Sequence, residues 1–265
     1  MPDDTYTHGH HASVLRSHTW RTAENSAVYL LPHLRAGMDV LDVGCGPGTI
    51  TADLGRVVAP GAVLGVDRSD DVLAQAVQAA AGAGNVTFAV GDVYALDADD
   101  GTYDVVHAHQ VLQHLSDPVA ALREMRRVCR PGGLVAVRDS DYGAFTWAPA
   151  DPVLDRWLDV YRSVARSNDA EPDAGRHLKG WALAAGFSDV QASASVWCFS
   201  DEEDRAWWGG LWADRIRESD LARQAVDRSF ATTADLEAFA AAFHRWAAAP
   251  AGWFTVLHGE VLARP

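Results

Sequence analysis

Apolar positions along the first half of the chain change period repeatedly, from two to about three and a half and back. MDVLDVG, AVLGVD, VTFAVGD, YDVVHAH and LVAVRDS are short apolar runs that read as strands. TITADLGRVV and DVLAQAVQAAA place apolar residues at helical spacing between them. Asp117 and Pro118 open a third helix as N-cap and first-turn proline, with Val119, Leu122, Met125 and Val128 on its apolar face and Pro131-Gly132-Gly133 as its stop. Repeated β-α-β units predict a parallel sheet with helices on both faces. Upstream, helical periodicity starts near Ala12 and sharpens at Thr22, with Ala27, Leu30, Leu31 and Leu34. Downstream, DPVLDRWLDVYRSVARS predicts a helix within an insertion at about 142–175. Arg176 to Ala185 reads as a helix stopped by Gly186, and VQASASVWCFS as a strand. A second, mostly helical insertion covers about 201–250, and WFTVLHGEVLA closes the chain as a strand.

The richest stretch is VLDVGCGPG, Val40 to Gly48, a strand leading through a glycine turn into a helix. Such a turn lets a ligand approach backbone at the strand's carboxyl end. Counted from Gly44, the dinucleotide pattern G-x-G-x-x-G needs a third glycine at position 49, where this chain has Thr49. Asp42, Asp67 and Asp92 close three successive strands or their turns. Asp67 lies 23 residues after Gly44, where an acid can accept hydrogen bonds from both ribose hydroxyls. Asp92 can reach an adenine amino group, with Val93 beside the ring.

Charge and composition narrow the classes. A net charge of −14 without a basic run argues against sequence-independent nucleic-acid binding. No apolar run has membrane-spanning length, and no charged-then-apolar leader opens the chain, so a cytoplasmic protein is expected. Cys45, Cys129 and Cys198 read as buried or backbone-determined thiols, without disulfide or metal-ligand spacing. No carboxylate or cysteine set accompanies the HGHH segment at His8 to His11, so no metal site is expected.

VLDVGCGPG, GVDRSDDVL, GDVYAL, YDVVHAHQVLQHLSDP and RVCRPGGLVAV resemble the successive motifs of class I S-adenosylmethionine-dependent methyltransferases, most closely the ubiquinone and menaquinone branch. The resemblance is specific over residues 38–140 and looser over Arg176 to Ser200. It implies a Rossmann-like, doubly wound α/β fold with a seven-stranded sheet, the last strand antiparallel. An N-terminal helical lid would span 1–36, and a methyltransferase domain with two helical cap insertions 37–265. It implies S-adenosyl-L-methionine as cofactor, held by Asp42, Gly44, Cys45, Gly46, Asp67, Arg68, Gly91, Asp92 and Val93, with His109 at the end of the fourth strand facing the sulfonium.

The segment YTHGHHASVLRSHTWRTAENSAVYLLP resembles a bacterial and fungal subgroup that methylates small natural products, which implies secondary metabolism. In that subgroup the N-terminal helices fold over the cofactor, so Tyr6, His10, His11, Trp20 and Arg21 are expected near the site. His109 and His11 are the candidate general bases, and Tyr142 is a third. His114, in LQHL, is expected to pack at the sheet–helix junction. Trp147, Trp157, Tyr161, Trp207, Trp208 and Trp212 fall in the insertions, where they either weld the cap together or line a flat, apolar acceptor pocket. Tyr6, Trp20, Tyr142 and Trp208 are the substrate candidates. The acceptor expected is small and aromatic or otherwise apolar, such as an indole, phenol, polyketide or thiol, methylated on carbon, nitrogen, oxygen or sulfur. The protein would act as a monomer or homodimer. Two other readings are an NAD(P)-dependent oxidoreductase and a non-catalytic cofactor-binding module; Thr49 opposes the first, and so does the absence of a tyrosine–lysine pair at four-residue spacing.

Overall fold

The computed structural model describes Asp4, Thr7 and residues 17–265. Eight strands form one sheet: β1 Val40–Val43, β2 Val63–Asp67, β3 Val86–Val90, β4 Tyr103–His109, β5 Cys129–Ser140, β6 Thr146–Ala148, β7 Asp189–Phe199 and β8 Trp253–Arg264. The first five run parallel in the order β3-β2-β1-β4-β5. β8 lies antiparallel to β5 on one side and to β7 on the other. This is the expected doubly wound α/β fold with its last strand reversed, and it has one strand more than expected. The addition is β6, which continues the β5 edge along β8, pairing Trp147 with Phe254. Its three residues end at Pro149, too short a run to show a period of two.

Helices α1 Ala23–Ser26, α2 Thr49–Val58, α3 Asp70–Ala79, α4 Pro118–Val128, α5 Pro152–Arg166, α6 Leu178–Ala184, α7 Glu202–Glu218, α8 Asp220–Asp227 and α9 Thr233–Ala248 complete the fold. Several start where a side chain satisfies the free backbone N–H groups of a first turn. Asp117 accepts from Ala120 N–H at 2.8 Å before α4, and Asp201 from Asp204 N–H at 2.8 Å before α7.

Three expected boundaries move. The helix foreseen from Thr22 stops after one turn, although Thr22 and Asn25 form a reciprocal capping box. Pro32 lies in a following 3-10 turn at Leu31–His33, lacking an N–H and steering the residue before it away from helical backbone. Ala27, Leu30 and Leu34 are buried all the same. α4 ends at Val128 rather than at Pro131. Cys129 is already extended, and residues 130–133 form the irregularity that shifts the β4–β5 register between Tyr103 and Val105. The helix read over Arg176 to Ala185 divides into a 3-10 turn at Ala174–Arg176 and then α6, with Gly186 at φ +93° as its stop.

Alternation along the strands builds a core on each face of the sheet. Val40 joins Leu30, Leu54 and Val58 in one cluster, whereas Leu41 and Val43 join Val106, Leu122 and Met125 in another. A third, aromatic cluster ties α5, α7, α8 and α9 to β7 and the start of β8. Trp157 and Trp212 are at its centre, their rings meeting edge to face at 4.6 Å, and both are almost completely buried. Among the described residues no helix is long and apolar enough to cross a membrane.

Candidate active site

The chain runs β1 to β2 to β3 outward, then returns to place β4 on the other side of β1. At that reversal the loops after β1 and β4 diverge, leaving a crevice at the carboxyl ends of the strands. The glycine turn lies there. Gly44, Gly46 and Gly48 have φ of +65°, +55° and +76°, a region that costs a side-chain-bearing residue about 1–2 kcal/mol. A Cβ on Gly44 would also stand 2.4 Å from Val111 Cγ2. The turn is tied to β2: Cys45 N–H donates to Val66 O at 3.0 Å, and Gly46 N–H donates to Asp67 Oδ2 at 3.0 Å. Asp67 Oδ1 accepts Ser69 N–H at 3.1 Å, so the carboxylate is fixed at the strand tip.

A cavity of about 480 Å³ opens over this turn. Asp42, Gly44, Cys45, Gly46, Asp67, Arg68, Gly91, Val93 and His109 all line it, bringing together most of the expected cofactor residues. Asp92 is the exception. Its Oδ1 accepts Tyr94 N–H at 3.0 Å and shapes the loop after β3, while its neighbours Gly91 and Val93 face the cavity. Asp42 lines the cavity with both oxygens engaged, Oδ2 by the Thr51 hydroxyl at 2.6 Å and Oδ1 by His107 Nδ1 at 2.7 Å.

Residues Ser17 and His18 also line the cavity. A helical turn at residues 17–19 brings His18 to the glycine turn, where its carbonyl accepts from the Thr49 hydroxyl at 3.4 Å. Arg21 and Trp20 line the cavity. Arg21 Nη2 donates to Gln110 Oε1 at 2.6 Å, and the Gln110 amide reaches His258 Nε2 at 2.8 Å. Gln110 has φ +54°, a strained backbone that these contacts hold in place just past β4. Tyr6, His10 and His11 lie outside the described residues.

His109 is buried at the carboxyl end of β4, and among the described residues neither ring nitrogen has a hydrogen-bond partner. Burial holds its pKa well below the ordinary histidine range, reinforced by the nearby Arg138 and Arg21 guanidiniums. The imidazole is therefore neutral at neutral pH. His114 also lines the cavity instead of packing at the sheet–helix junction, because residues 112–114 form a 3-10 turn after β4. Burial, with Arg21, lowers its pKa to about 3.

Beyond His109 the cavity wall becomes aromatic. Trp20 meets Trp197 edge to face at 5.1 Å and Trp207 at 5.2 Å. Trp208 stacks on Phe199 at 4.3 Å, and Tyr142 stacks between Tyr161 at 4.0 Å and Phe145 at 4.3 Å. The insertion rings thus divide between the two expected roles. Trp207, Trp208 and Trp212 reach the cavity, whereas Trp147, Trp157 and Tyr161 pack behind it. Burial raises the Tyr142 pKa, which makes its phenol a poor base.

Trp197 and Arg215 line the cavity unforeseen. Trp197 lies in a strand whose small residues hide any facing pattern. Arg215 did carry a signal: it follows Trp208 by seven positions and Trp212 by three, a charge on an otherwise apolar helical face. Of the cysteines, Cys129 is buried as expected, but Cys198 is exposed. Among the described residues no group of three or more His, Cys, Asp or Glu could hold a metal ion.

The residues present fit a nucleoside with a charged amino-acid tail. The glycine turn exposes its backbone to the cavity, and Asp67 presents a fixed carboxylate at a strand tip. Gly91, Val93 and the Arg21 cation line the same cavity.

Comparison with known proteins agrees with this geometry. The methyltransferase domain family matches residues 34–184. An uncharacterized methyltransferase of Schizosaccharomyces pombe is 36% identical over 97% of this chain and 95% of its own length. The probable methyltransferase LtbC of Aspergillus luteorubrus is 30% identical over 98% of this chain and 97% of its own. Among solved structures, the YcgJ protein of Bacillus subtilis superposes with a TM-score of 0.59 at 20% identity, covering 91% of this chain and 98% of that one, a likeness of fold. These matches displace both the oxidoreductase and the non-catalytic readings. Together with the motif order and the crevice they line, they establish that the chain belongs to the S-adenosylmethionine-dependent methyltransferases.

Proposed function

We propose that this enzyme methylates a small, planar aromatic acceptor held in the tryptophan-rich half of the cavity. The observation that carries the reading is continuity: the wall formed by Trp20, Trp197, Trp207, Trp208 and Tyr142 belongs to the same cavity as the glycine turn. An apolar pocket with a few fixed polar groups is the usual form of a small-molecule site. Rings of this kind give a planar acceptor stacking and edge contacts, with little loss of side-chain freedom.

In this reading Asp67 holds the ribose hydroxyls, the Val93 side chain packs against the adenine, and Arg21 faces the methionine carboxylate. The Gly44 and Gly46 backbone passes beneath the tail. When bound, S-adenosylmethionine supplies a methyl group already activated by its sulfonium. The protein's remaining work is to place the acceptor in line and exclude water. His109 lies between the turn and the rings. Its neutral imidazole has an unprotonated ring nitrogen that can take a proton from an acceptor hydroxyl, N–H or thiol. Burial and the nearby cations disfavour the imidazolium, so the proton taken from the acceptor is given up to solvent as the methylated product leaves the cavity. The Arg21–Gln110–His258 chain keeps the lid registered against β4 and β8 during these events.

The test is transfer of labelled methyl groups from S-adenosylmethionine to a panel of indoles, phenols and aromatic thiols, set against aliphatic alcohols, amines and thiols of similar size. Label should appear on aromatic members at rates at least tenfold above the aliphatic ones. Transfer confined to aliphatic acceptors would contradict the reading.

A further inference from the structure

His107 places an imidazole in β4 between Val106 and Ala108, and all three are completely buried. Burying a polar ring in such surroundings costs free energy unless its polar atoms are paired. Among the described residues the ring makes one hydrogen bond: Nδ1 lies 2.7 Å from Asp42 Oδ1, while Nε2 has no partner. A carboxylate only accepts, so Nδ1 donates. If His107 only filled space, an apolar side chain would serve as well as it does at Val105 and Val106. What the imidazole adds is its hold on Asp42.

That hold is built into the sheet. Asp42 and His107 are direct partners in the β1–β4 ladder, and Thr51 from α2 donates to the other Asp42 oxygen at 2.6 Å. The carboxylate is therefore gripped on both oxygens, by a strand and by a helix, and each oxygen keeps a further lone pair. Asp42 lines the cavity and His107 does not. Only Val43 separates Asp42 from Gly44, and Arg21 lines the same cavity. The amino-acid tail of S-adenosylmethionine is a zwitterion, which a fixed anion and a cation beside one turn complement. The other acids in the cavity wall have different work: Asp67 lies at the β2 tip, and Asp4 accepts Ser116 N–H at 2.9 Å. We propose that His107 is a positioning residue for the donor, holding the Asp42 carboxylate where it meets the tail ammonium of S-adenosylmethionine. His107 touches no ligand and acts through Asp42 alone. This inference rests on the donor arrangement given above and adds the buried side chain that fixes the anion under the tail.

The experiment measures, by calorimetry on the full chain, the binding of S-adenosylhomocysteine and of 5′-methylthioadenosine, which keeps the nucleoside and the thioether but lacks the amino-acid tail. His107→Leu should weaken S-adenosylhomocysteine roughly tenfold or more and 5′-methylthioadenosine less than about threefold. His107→Asn, whose amide N–H can replace that of Nδ1, should recover most of the loss. In an Asp42→Asn background, His107→Leu should leave the ratio of the two affinities unchanged. A residue needed only for folding would weaken both ligands alike in either background. Melting curves identify a variant that has lost its fold, and a crystal structure of the wild-type S-adenosylhomocysteine complex then decides. In it the tail ammonium should meet Asp42 directly or through one water, with the His107–Asp42 bond kept. Equal losses for the two ligands, an unchanged S-adenosylhomocysteine affinity, or a loss that His107→Asn does not lessen would each overturn the proposal. So would a ratio that still shifts in the Asp42→Asn background, or an ammonium turned away from Asp42. Failure of the wild type to bind either ligand would be a separate result, which removes the donor site and this proposal with it.

Discussion

Alanine at Gly44 should both destabilise the fold and reduce S-adenosylhomocysteine binding by at least tenfold. Two effects act at this position. The backbone has φ +65°, where an L-residue with a Cβ loses about 1–2 kcal/mol. The new methyl would also sit 2.4 Å from Val111 Cγ2, and relieving such overpacking costs about 1–3 kcal/mol. Val111 itself lines the cavity, so a shift of Val111 that relieves the clash alters the cavity wall. Adding Val111→Ala should remove the steric part and leave the backbone part. Chemical denaturation of the two single variants and the double variant should therefore show coupling of about 1 kcal/mol or more. Additive losses would mean that the turn adjusts without touching Val111.

The second large effect is expected at Asp67. Its carboxylate accepts the Gly46 and Ser69 amides with one lone pair on each oxygen, leaving further acceptor capacity for a pair of ribose hydroxyls. Alanine removes the charged hydrogen bonds to the ribose and loosens the turn beneath the tail. Hydrogen bonds to a charged group contribute about 1.5–3 kcal/mol, so calorimetry should find S-adenosylhomocysteine binding weakened roughly 10- to 150-fold. Asp67→Asn keeps one acceptor for Gly46 and should fall between the wild type and the alanine variant. Binding by Asp67→Ala within twofold of wild type would remove the ribose assignment.

Local sequence carried the donor half of the site because that half is built from local structure. The strand, turn and helix from Val40 to Val58 occupy one contiguous stretch, and each glycine answers a backbone requirement visible in the spelling. Asp67 and Val93 follow from the same repeat of strand ends. Asp92 shows the limit of that reasoning. A strand-end acid can face the ligand or cap its own loop, and the Oδ1 bond to Tyr94 N–H is not visible in the spelling.

The acceptor half was less legible because it is assembled from distant segments. Trp20, Trp197 and Trp207 converge from the stretch before α1, from β7 and from α7, and only the path of the chain brings them together. Composition flagged tryptophans in the insertions but could not separate Trp208, at the cavity, from Trp157, behind it. β6 and the broken helix after Thr22 were hidden for a simpler reason. Three residues cannot show a period, and a proline two residues past Leu30 overrode an apolar pattern that still packs.

In the proposed arrangement donor and acceptor share one continuous cavity, with the reacting end of the donor turned toward the rings. That arrangement is tested most directly by a crystal structure of the protein with S-adenosylhomocysteine. The ribose hydroxyls should lie on the Asp67 carboxylate, the tail over Gly44 and Gly46, and the sulfur facing His109 and the chamber of Trp20, Trp197 and Trp208. A ligand bound away from Asp67, or one whose sulfur faces solvent with the tryptophan chamber sealed off behind it, would contradict it.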